Sequence, residues 1–287
     1  MRLDNERLSD NVEDRRGGGF SGGKLGIGGI ILVLVVSYFT GVNPATLMGM
    51  VSNPSNPASP VSQSSQTQGP PANDPMAIFV SKVLADTEDT WKEIFQKAGK
   101  HYQDPKLVLF TGATPTACGT GQNAMGPFYC GLDQKVYIDL GFYQELKDRF
   151  HAPGEFAEAY VIAHEVGHHV QQLLGTSAKV QAAEQKAGSE AQINALSVRV
   201  ELQADCYAGV WANHADKTEH IVEPGEIEQA LTAAAAIGDD RLQKQSQGYA
   251  TPDTFTHGTS EQRVRWFKRG YESGDPKQCN TFKAPTL

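Results

Sequence analysis

The chain has 287 residues, 39% of them hydrophobic and 20% charged, with 25 Lys and Arg against 33 Asp and Glu for a formal net charge of −8. An acidic balance of that size exerts no general pull on nucleic acid or anionic lipid, so no nucleic-acid partner is expected. No nucleotide is expected either: the one glycine-rich turn that suggests it, Ala117-Cys118-Gly119-Thr120-Gly121, lacks the Lys and the helix start that a phosphate loop needs.

From the N-terminus, residues 1–24 read as a short polar segment and residues 25–42 as an uncharged apolar run with Ile30, Ile31, Leu32, Val33, Leu34, Val35 and Val36 at its centre. At about 1.5 Å per residue, a helix of this run crosses most of a bilayer core, which predicts a transmembrane helix. A cleaved signal peptide is the weaker reading, because the run starts late and no small-residue cleavage site follows it. Arg15, Arg16 and Lys24 precede the run, whereas no Lys or Arg lies between Val42 and Lys82. The positive-inside rule then puts residues 1–24 in the cytoplasm and the rest outside, a single-pass protein of the cytoplasmic (inner) membrane. Residues 43–73, built of Ser, Pro, Gln, Asn and Gly, bury too little apolar surface to fold and read as a linker.

Residues 74–287 are long enough for one domain with a sizeable core. Met76, Phe79, Val80, Val83, Leu84, Trp91, Ile94 and Phe95 recur at helical spacing up to about Gly99. Lys106–Phe110 and Lys135–Leu140 read as strands, separated by a glycine-rich loop bounded by cysteines. Helices are expected over 140–150, from Gly154 to Gly175, as one long element over 178–214, and over 224–238 and 261–271. The fold class is therefore α+β, a mostly helical domain with a small β-sheet, preceded by one transmembrane helix. The four cysteines, Cys118, Cys130, Cys206 and Cys279, all follow the apolar run, and none makes the close pairs of a structural zinc site. Two disulfides are the natural reading in an oxidising compartment. Of the three connectivities, Cys118 with Cys130 and Cys206 with Cys279 is preferred, the first closing a local loop and the second pinning the tail onto a helix.

Within the helix ending at Gly175 lies His164-Glu165-Val166-Gly167-His168. Residues four apart share a helix face, so both imidazoles can reach one ion, and Glu165 stands beside them as a general base for a metal-activated water. The surrounding run of Phe156, Tyr160, Ile162, Ala163, Val170 and Leu173 marks a buried helix, in which two histidines need partners. A hydrolytic zinc site takes three protein ligands and leaves a position for water. Glu201 is the expected third ligand, from a helix returning antiparallel. Asp205, one turn further, is expected to accept the free ring N–H of His164. Ala204, Ala208 and Gly209 would let the two helices approach closely. His169 points about 100 degrees away from the ion and reads as a core residue. His151, His214 and His220 read as surface or helix-end residues.

These residues carry a resemblance. The helix with two histidines followed by Glu201-Leu202-Gln203-Ala204-Asp205 is similar to the gluzincin arrangement of zinc metallopeptidases. More narrowly, Asn11-Val12-Glu13-Asp14-Arg15-Arg16, the apolar run, Gly126-Pro127-Phe128-Tyr129-Cys130 and His164-Glu165-Val166-Gly167-His168-His169-Val170-Gln171 resemble the neutral zinc metallopeptidases of bacteria. The resemblance implies a zincin-like fold, one Zn2+ per chain and a protein or peptide substrate. The segment from His257 to Arg263 resembles the His…Arg segment that follows the third ligand in several membrane-linked gluzincins, although Gly258 stands where a proline often follows. It implies that His257 or Arg263 stabilises an oxyanion. Two functions fit: a membrane-anchored zinc endopeptidase, or a binding or assembly-supporting protein that keeps the scaffold without turnover. Glu165 favours the first, since a structural site has no need of a carboxylate there.

Overall fold

A computed structural model describes residues 1–16 and 73–287. Its sheet has four strands in the order β1 (Val12–Asp14), β2 (Lys106–Phe110), β6 (Lys135–Asp139) and β5 (Phe128–Cys130). β1, β2 and β6 run parallel, and β5 returns antiparallel at the edge. A separate hairpin of β3 (Ala113–Thr116) and β4 (Gly119–Gln122) fills the glycine-rich loop.

Eight helices among the described residues complete the domain, beginning with α1 (Pro75–Lys97). Asp74 caps α1 by accepting from the backbone N–H groups of Met76 and Ala77, and Pro75 supplies the preset φ of a first turn. α2 (Gly141–Asp148) leads from the sheet to α3 (Glu155–Leu173), whose side chains are buried almost all round, as its unbroken apolar run requires. Glycine at 175, at φ 74, ends it. α4 (Thr176–Glu184) and α5 (Glu190–Lys217) follow, then α6 (Glu226–Ala236), α7 (Asp239–Gln247) and α8 (Ser260–Ser273). The helix expected over 178–214 is thus two helices, broken at residues 185–189, where Ser189 caps α5 by accepting from Gln192.

α3 and α5 cross antiparallel at the centre. A Cβ added at Gly167 would lie 3.0 Å from the Ala204 carbonyl oxygen, so the glycine inside the histidine motif sets how closely the helices meet. Gly209 works on another interface: a Cβ there would lie 2.0 Å from the Phe267 carbonyl oxygen of α8. Phe156 stacks on Trp211 across the α3–α5 contact, with ring centroids 5.5 Å apart.

The largest correction concerns the N-terminus. Residues 25–42, where the transmembrane helix was expected, lie outside the described residues, and no helix among the described ones is long and apolar enough to cross a membrane. The fold class of a domain preceded by a transmembrane helix, and the single-pass location in the bacterial cytoplasmic membrane, do not stand. Residues 1–15 belong to the same compact unit as the domain. Val12, Glu13 and Asp14 pair in register with Leu107, Val108 and Leu109, and Arg7 binds Glu88 and Asp89 of α1. A single crossing between residues 16 and 73 would put these partners on opposite faces of a membrane. The charges before the apolar run include Arg7 and Arg15, which sit in the compact unit of the domain and not in a separate segment.

Candidate metal centre

Helical spacing places His164 and His168 on one face of α3, with ring centroids 4.9 Å apart. α5 brings Glu201 opposite them: Oε2 lies 3.2 Å from His164 Nε2, and Oε1 lies 3.5 Å from His168 Nε2. One donor atom from each of the three residues falls within 4.8 Å of the others. With zinc bonds of about 2.0–2.1 Å and tetrahedral angles, neighbouring ligand atoms stand about 3.3 Å apart. The two histidine–carboxylate separations, each to a different Glu201 oxygen, lie close to that value, and the remaining donor separation is within 4.8 Å, so the donor set suits the ion. Both histidines also use Nδ1 elsewhere, His164 toward Asp205 Oδ1 at 2.9 Å and His168 toward Gln171 Oε1 at 2.9 Å. A neutral ring in either place would aim an Nε2 lone pair at an anionic carboxylate, so the arrangement calls for positive charge between them.

Asp205, one turn after Glu201, joins three elements. Its Oδ1 accepts from His164 Nδ1, from the Tyr160 hydroxyl at 2.5 Å and from Arg263 Nη2 at 2.9 Å, while Oδ2 accepts from Arg263 Nε at 2.9 Å. Burial favours the neutral Asp205 acid, but the Arg263 charge and the bond to His164 outweigh it and hold the carboxyl at about 2. Burial likewise opposes a charged His164, yet Asp205 and Glu201 raise its ring to about 10 when no ion is present. Glu201 is held well below the ordinary carboxylate range: burial pushes it up, and the two histidines more than reverse that. The centre therefore favours positive charge between its carboxylates, supplied by protons or by a metal.

Glu165 lies beside the ligands in the wall of a cleft of about 1210 Å³ and is 7% exposed. Burial raises its carboxyl above the usual value, against the pull of His168 and His164, which suits a base that must accept a proton near neutrality. Arg263, 2% exposed, has its guanidinium fork on Asp205 with a further N–H 3.2 Å from the Tyr160 oxygen. That placement makes it the holder of Asp205 more than a donor to an oxyanion. His257 also lines the cleft, and its ring is half-exposed. Asp239 fixes it there: Oδ2 accepts from the backbone N–H groups of Thr256, His257 and Gly258, and Oδ1 lies 3.3 Å from His257 Nδ1.

His169 turns away from the centre. Its Nε2 donates to the Gln103 carbonyl at 2.7 Å and Nδ1 accepts from the Tyr129 hydroxyl at 3.0 Å, tying α3 to β5. Both disulfides have formed, Cys118 with Cys130 and Cys206 with Cys279. The first fastens the β3–β4 hairpin to β5, and the second joins α5 to the C-terminal tail. Sequence reasoning missed Tyr160, Gln171 and Asp239 as site residues. Two carried a signal, since Tyr160 precedes His164 by one helical turn and Gln171 follows His168 by nearly one. Asp239 reaches His257 only through the fold.

Comparison with known proteins adds the family. Residues 1–282 match the family described as "Putative neutral zinc metallopeptidase". The chain belongs to this family. It is 54% identical over 290 residues to Uncharacterized protein YpfJ of Escherichia coli (strain K12), covering 98% of this chain and 99% of that protein. It is 46% identical over 196 residues to Uncharacterized protein Rv2575 of Mycobacterium tuberculosis (strain ATCC 25618 / H37Rv), or 65% of each chain. No solved structure matches it. The zinc metallopeptidase match begins at residue 1, so it takes in β1 as well as the metal centre.

Proposed function

We propose that this family member is a zinc-dependent endopeptidase, with His164, His168 and Glu201 holding one ion. The observation that carries the reading is the convergence of two imidazoles and a carboxylate with donor atoms within 4.8 Å of one another, with Glu165 beside them in an open cleft. Zinc bound there supplies Lewis acidity, polarising a peptide carbonyl and activating a water. Glu165 takes the proton from that water and delivers it to the leaving amine. Asp205, held by Arg263 and Tyr160, keeps the proton of His164 on Nδ1. His257, presented by Asp239, offers an N–H to the developing oxyanion.

A polypeptide suits the cleft. Its volume exceeds the roughly 300–1,000 Å³ of ordinary small-molecule sites. One wall carries Phe128 and Tyr129 of β5, which among the described residues is an edge strand paired to β6. An extended substrate can add to such an edge, so that backbone hydrogen bonds hold it whatever its sequence.

Glu165→Gln tests the reading in the full chain. The variant is expected to bind zinc stoichiometrically, as measured by elemental analysis, and to lose peptide hydrolysis by at least about 10²-fold. Zinc-free parent protein purified in a folded state would remove the metal. Equal cleavage by parent and variant would remove the mechanism, and zinc binding without any cleavage by the parent would favour a binding role.

A further inference from the structure

We propose that the C-terminal disulfide tunes the metal centre through two glutamines, Gln171 and Gln203, which fix the tautomer of His168. The inference rests on the metal-site reading above.

The chain of bonds can be oriented without ambiguity, because both of its fixed ends are backbone carbonyls, which only accept. Gln171 comes within 2.7 Å of the Val200 carbonyl oxygen, so the amide nitrogen faces it. The other atom, Oε1, is therefore the one 2.9 Å from His168 Nδ1. An amide oxygen cannot donate, so the proton must be on Nδ1. In the neutral ring this leaves the Nε2 lone pair directed at Glu201 and the metal position. Gln203 repeats the logic. Its nitrogen donates to the Cys279 carbonyl at 2.8 Å, which turns its Oε1 toward the second N–H of Gln171 at 3.2 Å. Turning over either amide would set oxygen against oxygen in a buried place, Gln171 being 1% and Gln203 5% exposed.

The last acceptor is held by the tail. Cys279 is fully buried and is fastened to α5 through Cys206, within four residues of Asp205 and Gln203. Thr281 adds a second tether, its hydroxyl donating to the Arg199 carbonyl at 2.6 Å. Without the disulfide the Cys279 carbonyl loses one of its two tethers and Gln203 gains a second orientation, so Gln171 is held by the Val200 carbonyl alone in place of two acceptors. Turning over Gln171 then opposes one carbonyl in place of two acceptors, which raises the share of His168 with its proton on Nε2, the tautomer that cannot ligate through that atom. His164 is independent of this relay, because the Asp205 carboxylate fixes its Nδ1 proton directly. The two histidine ligands are thus oriented by different parts of the fold, and one of them reports whether the tail has been stapled.

The test uses the full chain and zinc itself. Affinity is read by competition with a chromogenic chelator, and the His168 Nδ1 proton of the zinc-bound protein by 15N-labelled histidine resonances and their exchange with solvent. Gln171→Leu is expected to weaken zinc by about 10- to 100-fold. Gln203→Leu, and Cys206→Ser with Cys279→Ser, are expected to weaken it severalfold and to speed exchange of the His168 Nδ1 proton, with the His164 Nδ1 proton unchanged. A purely packing role would lower the melting temperature without separating the two histidines. If the parent binds no zinc, the metal reading itself fails. If the parent binds it, and Gln171→Leu and Gln203→Leu match it within twofold with His168 exchange unaltered, the relay is overturned, whether or not the serine variant folds.

Discussion

Asp205 shows how much one buried carboxylate is asked to do. Two oxygens accept from His164, Tyr160 and twice from Arg263, and neither Asp205 nor Arg263 is more than 2% exposed. Removing one partner of such a pair leaves a buried charge uncompensated, at a cost of roughly 3–5 kcal/mol. Arg263→Met should therefore lower stability by about that amount, read from urea unfolding of the zinc-free protein. Arg263→Lys keeps the charge but not the fork, and should fall between the two. A melting curve for Arg263→Met that matched the parent would mean that Asp205 is protonated and the ion pair is not formed. The opposite pH logic governs Asp86 on α1, which accepts from the Trp211 indole N–H of α5. Burial raises its carboxyl to about 7, against the lowering effect of the indole bond. The folded state thus binds this proton more tightly than the unfolded chain does. Its contribution is fully present below the ordinary value of 3.8 and is lost as pH rises through about 7. Asp86→Asn keeps an acceptor for Trp211 and cannot ionise. Its stability relative to the parent should grow by on the order of 2–4 kcal/mol between pH 4 and pH 8, measured by urea midpoints.

At the scale of elements, α3 was legible because an apolar run, two histidines four apart and a closing glycine all specify one helix. Asp205 was legible for the same reason, being one turn from Glu201 on α5. The break between α4 and α5 was not, because Gln185-Lys186-Ala187 continues a helix-compatible composition and only Gly188-Ser189 interrupts it. β1 was hidden by length: three residues among charged neighbours give no alternation, and their partner is β2, far along the chain. The apolar run over 25–42 was read by composition alone, which says nothing about where its flanks pack. The disulfides were read from four cysteines without close pairs and from a preferred connectivity, yet their different surroundings come only from the fold. Cys118 is exposed and lines the cleft, whereas Cys206 and Cys279 are fully buried. Thiol attack needs access to a sulfur, so a dithiol reductant under native conditions should open Cys118–Cys130 well before Cys206–Cys279. Alkylation and mass measurement over time would show the order. Simultaneous loss of both would mean that the tail detaches readily, contrary to its packing.

At the scale of the whole molecule, the N-terminal segment is part of the folded domain. Leu3 and Val12 enter the main core. Ser9 and Asn11 join Arg7 on Glu88 of α1, which is 1% exposed. Glu13 meets Lys135 of β6 at 2.9 Å, and Lys82 of α1 donates to the Leu3 carbonyl. Burial of an aliphatic side chain contributes about 1.5–3 kcal/mol, so Leu3 and Val12 together supply about 3–6 kcal/mol against the entropy of ordering the segment. Its loss would also uncover the edge of β2, a row of unpaired backbone groups that invites association with another chain. A protein lacking residues 1–16 should therefore melt at a lower temperature and form oligomers at high concentration. Because the segment binds only the folded domain, a synthetic peptide of residues 1–16 added in trans should raise the melting temperature with its concentration. A peptide with Val12→Pro, which removes a ladder N–H, should do so less well. If deletion leaves melting unchanged and the peptide has no effect, β1 is not a working part of the sheet, and residues 1–16 need not share one side of a membrane with the domain.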